Sequence, residues 1–281
     1  MRSTIWYATF GVVLVGLAAL TAAPAAGDLM MLQDDNSILQ VDSDAGMNGW
    51  YVDATPQLAL QWFWYRIGSD AEQPISALVY DAIMSGPTDA NKDGFDDVAY
   101  LLYHDASGRF DVEVKISLDG GPTGSRLSDV AEQITITNTS AADTLDFHFF
   151  QYADFDLGGT AAGDEVVHMG HSPQGEKAFN GEQRDDGWVL RWAEVASEDL
   201  SHVQAGTVPQ VLDLLTLGGA DDLSDVEQAA GDVEWACQWD FSLAPGDAFL
   251  LSKDKMITPE PATLALLGSG AALAVVLRRR R

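Results

Sequence analysis

One stretch has both the residue types and the spacing to hold a metal. Residues 89–97 read Asp-Ala-Asn-Lys-Asp-Gly-Phe-Asp-Asp. Asp89, Asn91, Asp93 and Asp97 place oxygen side chains at alternate early positions and at the end of the loop, the pattern of a calcium-binding loop. Calcium takes about 6–8 oxygen ligands, and a tightly turning loop can aim alternate side chains at one point. Gly94 permits the sharp turn that a side chain would obstruct, and the Phe95 carbonyl would supply a further ligand. The pattern departs from the helix-flanked form of this loop where Tyr100 stands in place of the closing Glu, and its flanks read as strands. It is closer to the short D-x-N-x-D-G-x-x-D loops of extracellular calcium-binding modules. The plainer reading is an acidic Asp/Asn/Gly segment that is simply good at turning.

Other chemistry is sparse. The five histidines are scattered, and only His168 and His171 are close; three apart on a strand they face opposite ways, which argues against a zinc site. There is no G-x-S-x-G, P-loop, G-x-G-x-x-G or H-E-x-x-H, so no enzyme is expected, although a secreted hydrolase stays open as the least favoured alternative. All eight tryptophans except Trp6 lie in the body of the chain. Core packing is their ordinary role, but an exposed row could stack sugars; Trp64 and Trp192 are the candidates for such a platform. The single cysteine, Cys237, excludes an intrachain disulfide.

These residues need strands to position them. Residues 97–104 and 109–118 form a hairpin around Asp105-Ala106-Ser107-Gly108, and in its second arm Phe110, Val112, Val114, Ile116 and Leu118 alternate with polar residues. Residues 58–67 are apolar on both alternating faces, as in a central strand. Residues 75–84 fit strand or helix, with strand preferred, and residues 212–217 suggest a short helix after Pro209. Residues 233–242 alternate, with Val233, Trp235, Cys237, Trp239 and Phe241 on one face; Cys237 therefore reads as a small buried hydrophobe. Residues 248–252 form the closing strand. Evenly spaced strands joined by Gly/Asp/Ser turns predict a mainly β fold: a single antiparallel, jelly-roll-like β-sandwich, with a closed barrel as the alternative.

The ends differ from the body. Arg2, an apolar run and Ala23-Pro24-Ala25 read as a secretory signal helix over residues 1–25. That leaves a body of residues 26–258 and a terminal segment, 259–281. The formal charge of −28 understates the body's acidity, since Arg2 and the four terminal arginines lie outside it. Such a surface excludes nucleic acid and anionic membrane as charge-driven partners.

The terminal segment has Pro259, Glu260 and Pro261, then an apolar run of about 16 residues, then Arg278, Arg279, Arg280 and Arg281. The run falls short of the ~20 residues that span a bilayer comfortably. The arginines would hold its end on the cytoplasmic side. This arrangement resembles the PEP-CTERM sorting signal, with a simple hydrophobic membrane-anchoring helix as the alternative. The segments 60–68, 151–160 and 238–255 are also similar to uncharacterised PEP-CTERM proteins. The resemblance implies export by the secretion machinery, a transient inner-membrane intermediate held by a C-terminal hydrophobic helix, and processing by an exosortase. It further implies delivery to the cell surface or extracellular matrix of a Gram-negative bacterium. The function expected on this basis is structural or adhesive, within exopolysaccharide or biofilm and with calcium as a candidate cofactor. A carbohydrate-binding module is the alternative.

Overall fold

The computed structural model describes residues 27–260, apart from 172–177, 186 and 218. The expected signal helix and all of the terminal segment beyond Glu260, including Pro261 and the arginines, lie outside the described residues.

The major strands are β1 (Leu29–Asp34), β2 (Ser37–Asp42), β3 (Gly46–Val52), β4 (Leu60–Ile67), β5 (Val98–His104), β6 (Phe110–Gly120) and β7 (Ser128–Asn138). They continue with β8 (Leu145–Asp154), β9 (Asp164–His171), β10 (Ala178–Asp185), β11 (Trp188–Ala196) and β12 (His202–Thr207). The helix α1 (Gln210–Leu217) precedes β13 (Val233–Leu243) and β14 (Ala248–Pro259). One sheet of nine strands has its main path in the order β1-β2-β3-β4-β8-β13-β12. The other, of ten, runs from the short strand Ala229–Gly231 through β9-β10-β11-β14-β7-β6-β5 to Val79–Tyr80. All these pairings are antiparallel. The protein is thus the expected β-sandwich, with sheets wider than the roughly eight strands shared between the two sheets of a jelly roll.

The expected hairpin is β5–β6, with Asp111 opposite His104 and every apolar residue from Phe110 to Leu118 buried. Residues 75–84, read as a strand, instead form a 3-10 turn at Ile75–Ala77 and a two-residue strand at Val79–Tyr80. Pro74 sets the extended entry to that turn, and only Ile75 of its three residues is buried. Between the sheets runs a row of aromatic rings. Trp192 and Trp235 stack with centroids 4.2 Å apart, Phe155 lies parallel to Trp235, and Phe241 stacks on Phe249 at 4.1 Å. Each such ring removes on the order of 150–250 Å² from water, the dominant favourable contribution here.

β13 departs from simple alternation. Cys237 and its aromatic row are buried as expected, but Glu234 and Gln238 on the opposite face are also fully buried. The covering elements are α1 and the segment after it: Val211 N–H donates to Glu234, and Leu223 N–H to Gln238 Oε1 at 2.9 Å. β14 extends well past the expected closing strand and includes Pro259, which pairs with Trp188; Glu260 N–H then donates to the Gly187 carbonyl. The first residue of the Pro-Glu-Pro motif therefore belongs to a strand flanked on both sides.

Candidate functional site

The acidic loop lies between the short strand Gly86–Thr88 and β5. Its oxygens are engaged with its own backbone. Asp89 accepts from Lys92 and Gly94 N–H, Asn91 Oδ1 from Asp93 N–H, and Asp93 from Phe95 N–H. Asp97, the one buried member, accepts from Ala90 N–H at 2.7 Å and from Asn91 N–H. Gly94 takes the left-handed conformation that the turn requires, with φ +101°. Asn91 also donates to Asp34 Oδ1 at 3.0 Å, which ties the loop to β1. The structure thus gathers Asp89, Asn91, Asp93, Phe95 and Asp97 on one tight turn. Among the described residues, the groupings in which three His or acid side chains offer ligand atoms within 4.8 Å of one another lie elsewhere, at His148/Asp222/Asp240 and Asp154/Asp156/Asp232. In the first, Arg66 already pairs with Asp222, so a cation there would face a guanidinium.

Trp64 and Trp192 do not form an exposed platform: they are 5% and 2% accessible. Trp64 packs edge-on against Tyr152, and Arg66, two residues on along the same face of the strand, is itself buried between Glu72 and Asp222. Trp192 sits between the sheets on Trp235. His168 bonds Asn180 Oδ1 at 3.0 Å, the ordinary cross-strand role of a polar pair.

A cluster in the sandwich interior went unread in the sequence. On β14 the inward positions run Phe249, Leu251, Lys253, Lys255 and Ile257, so two lysines occupy positions where the alternation calls for apolar residues. Both are buried, together with Glu132 of β7, Glu194 of β11, Gln61 of β4 and Gln151 of β8, none more than 3% accessible. Lys255 Nζ lies 2.8 Å from Glu132 Oε1 and also donates to Gln61 Oε1. Gln61 Nε2 donates in turn to Glu132 Oε1, and Gln151 Nε2 to Glu132 Oε2 at 3.2 Å. Lys253 Nζ is 2.9 Å from Glu194 Oε2, donates to Gln151 Oε1, and stands over the Trp235 ring at 4.8 Å.

Two ammonium groups thus balance two carboxylates away from bulk solvent. Burial pushes Lys255 down to about 8, opposed by the attraction of Glu132. Burial raises Glu194, and it raises the Cys237 thiol well above its ordinary value, leaving that thiol inert. Any chemistry of this cluster is chemistry within the chain.

A bacterial glucoamylase complexed with acarbose shares the fold with a TM-score of 0.56 and 10% identity, over 86% of this chain and 35% of that chain. A glycosyl hydrolase of family GH92 aligns with a TM-score of 0.41 and 10% identity, over 84% of this chain and 30% of that chain. The chain spans about a third of the length of these enzymes, and at 10% identity the likeness to the glucoamylase extends to fold alone. No curated protein matches the chain. Residues 258–281 match the PEP-CTERM protein-sorting motif. The protein therefore carries an export and sorting signal whose route includes a membrane-anchored intermediate and exosortase processing. Among the described residues no helix is long and apolar enough to cross a membrane.

Proposed function

We propose that the protein is a non-enzymatic component of the cell surface or extracellular matrix of a Gram-negative bacterium, released there by an exosortase and acting structurally or adhesively within exopolysaccharide. The observation that carries this reading is the direct passage of a packed strand, Ala248–Pro259, into the sorting motif matched at 258–281. The cargo of the signal is the acidic sandwich itself. Calcium, bound by the oxygen donors of Asp89, Asn91, Asp93 and Asp97 with the Phe95 carbonyl, would stiffen that loop or bridge the acidic surface to anionic polysaccharide. The all-oxygen donor set suits this hard cation.

Fractionation of an exosortase-competent host and an exosortase-deleted one tests the route. The body is expected in the matrix without its tail in the first and in the membrane fraction with its tail in the second. Identical matrix recovery from both hosts would rule out the route. Calorimetric titration with calcium tests the loop: weak binding, in the roughly 10⁻⁴–10⁻³ M range of extracellular modules, should vanish in Asp89→Ala/Asp93→Ala. Absence of heat and of any thermal shift in the unsubstituted protein would remove calcium from the reading.

A further inference from the structure

We propose that Lys255 and Gln61 become joined by an intramolecular isopeptide bond, with Glu132 as the proton carrier, so that the two sheets of the sandwich are covalently linked. The three groups needed for such an exchange meet in one compartment buried from bulk solvent. Lys255 supplies the nucleophilic nitrogen, the Gln61 carboxamide supplies the electrophilic carbon, and Glu132 Oε1 contacts both the amine and the amide nitrogen that would leave. Lys255 and Gln61 are fully buried, and Glu132 is 2% accessible.

The reaction balances without an outside reagent. One proton of the Lys255 ammonium passes to Glu132, and the free amine attacks Cδ of Gln61, forming the new C–N bond. A second proton leaves the attacking nitrogen for Glu132 as Glu132 hands the first to Nε2, so that the carboxyl ends the exchange carrying one proton. The Cδ–Nε2 bond breaks, ammonia departs, and the third proton stays on Lys255 as the amide N–H. Burial from bulk solvent disfavours hydrolysis as a competitor, and fixed juxtaposition supplies the effective concentration that a free amine and amide lack. Desolvation makes the neutral amine accessible near neutral pH, which supports the same assignment.

The neighbouring pair is less well equipped. Lys253 and Gln151 also touch, but the lysine's carboxylate is Glu194 and the glutamine's is Glu132, so the two reacting nitrogens share no carrier. The Lys255–Gln61 link would join residues 194 apart in sequence, from β4 in one sheet to β14 in the other. β14 is the strand that runs into the sorting motif, so the link would clamp the end of the body from which the chain is held. In a chain whose single cysteine excludes an intrachain disulfide, it would do the work of one.

Peptide mapping of the full chain tests this. The exported protein is unfolded in denaturant, digested, and sequenced by mass spectrometry. The expected product is a branched peptide joining Gln61 to Lys255, lighter by one ammonia than its two linear parts. Loss of ammonia within a single linear peptide, as from asparagine cyclisation, does not count as the link. In Glu132→Gln, which keeps the shape of the site, the initial rate of linkage should fall at least about 100-fold, the lower end of what a general acid–base contributes. Lys255→Met should abolish it. Linear peptides carrying unmodified Gln61 and Lys255 from the unsubstituted protein would overturn the proposal, as would a link mapped to Gln151 and Lys253. Undiminished linkage in Glu132→Gln would overturn the role of Glu132.

Discussion

Lys253 shows what a single buried charge does to this fold. Its ammonium is fully desolvated between Glu194, Gln151 and the Trp235 ring. Removing one partner of a buried pair leaves the other uncompensated, and that penalty exceeds what the pair itself contributes. Lys253→Met should therefore destabilise the protein by about 3–5 kcal/mol, while Lys253→Met/Glu194→Leu should recover most of the loss. Denaturant titration of the two variants checks this, and equal losses in both would contradict it. The cluster was legible in principle, because the alternation that places Phe249 and Leu251 inward also places Lys253 and Lys255 inward. It is missed when lysine is taken as the end of a strand, the usual consequence of its preference for water. The tryptophans failed in the opposite direction. Arg66, two residues from Trp64, would ordinarily mark an outward face, but Glu72 and Asp222, remote from one another in sequence, pair with that arginine and let it be buried.

At the level of strands, the pairing of β10 with β11 depends on one glycine. Gly181 lies opposite Trp192, whose indole crosses the space a side chain would occupy; a Cβ on Gly181 would stand 2.1 Å from Trp192 Cζ2. That indole is also the partner stacked on Trp235, so it cannot move without opening the aromatic row between the sheets. Gly181→Ala should cost about 1–3 kcal/mol, the range for overpacking a filled interior, and should blue- or red-shift the tryptophan emission as the stack is disturbed. A variant with unchanged stability and spectrum would show that the indole is free to shift. Strands such as β6 were readable because one face meets water and the period of two is plain. β13 was half readable. Its buried second face depends on α1 and on the segment carrying Leu223, contacts that no local pattern of β13 announces.

The whole molecule carries its acid in two physically different places. Most of the formal charge of −28 is on the surface, where salt screens it. A few carboxylates are partly or wholly withdrawn from water instead: burial pushes Asp129, Asp154 and Asp164 each up to about 7. A raised folded-state value means that the folded protein binds these protons more tightly than the unfolded chain. The resulting stability is fully present below the unfolded value near 3.8 and is lost as pH rises to about 7. His104, raised mainly by its hydrogen bond to Asp111, acts in the same sense above 6.5. Asp53, lowered against the opposing effect of burial by hydrogen bonds from Gly124 and Arg126, and Asp105, lowered by its hydrogen bonds from Arg109, act oppositely, and their contribution is lost below about 3.8. The melting temperature should accordingly climb as pH falls from 8 to about 5 and drop again in stronger acid. Added salt at pH 8 should recover the part of this gain that comes from surface repulsion. It should leave the part due to Asp164, which is 1% accessible and whose Oδ1 is held by Gln183 at 2.8 Å. Asp164→Asn should therefore raise the melting temperature at pH 8 even in high salt, and the advantage should shrink to nothing by about pH 4. If salt alone flattened the pH profile and Asp164→Asn added nothing, the acid dependence would belong to the surface charge.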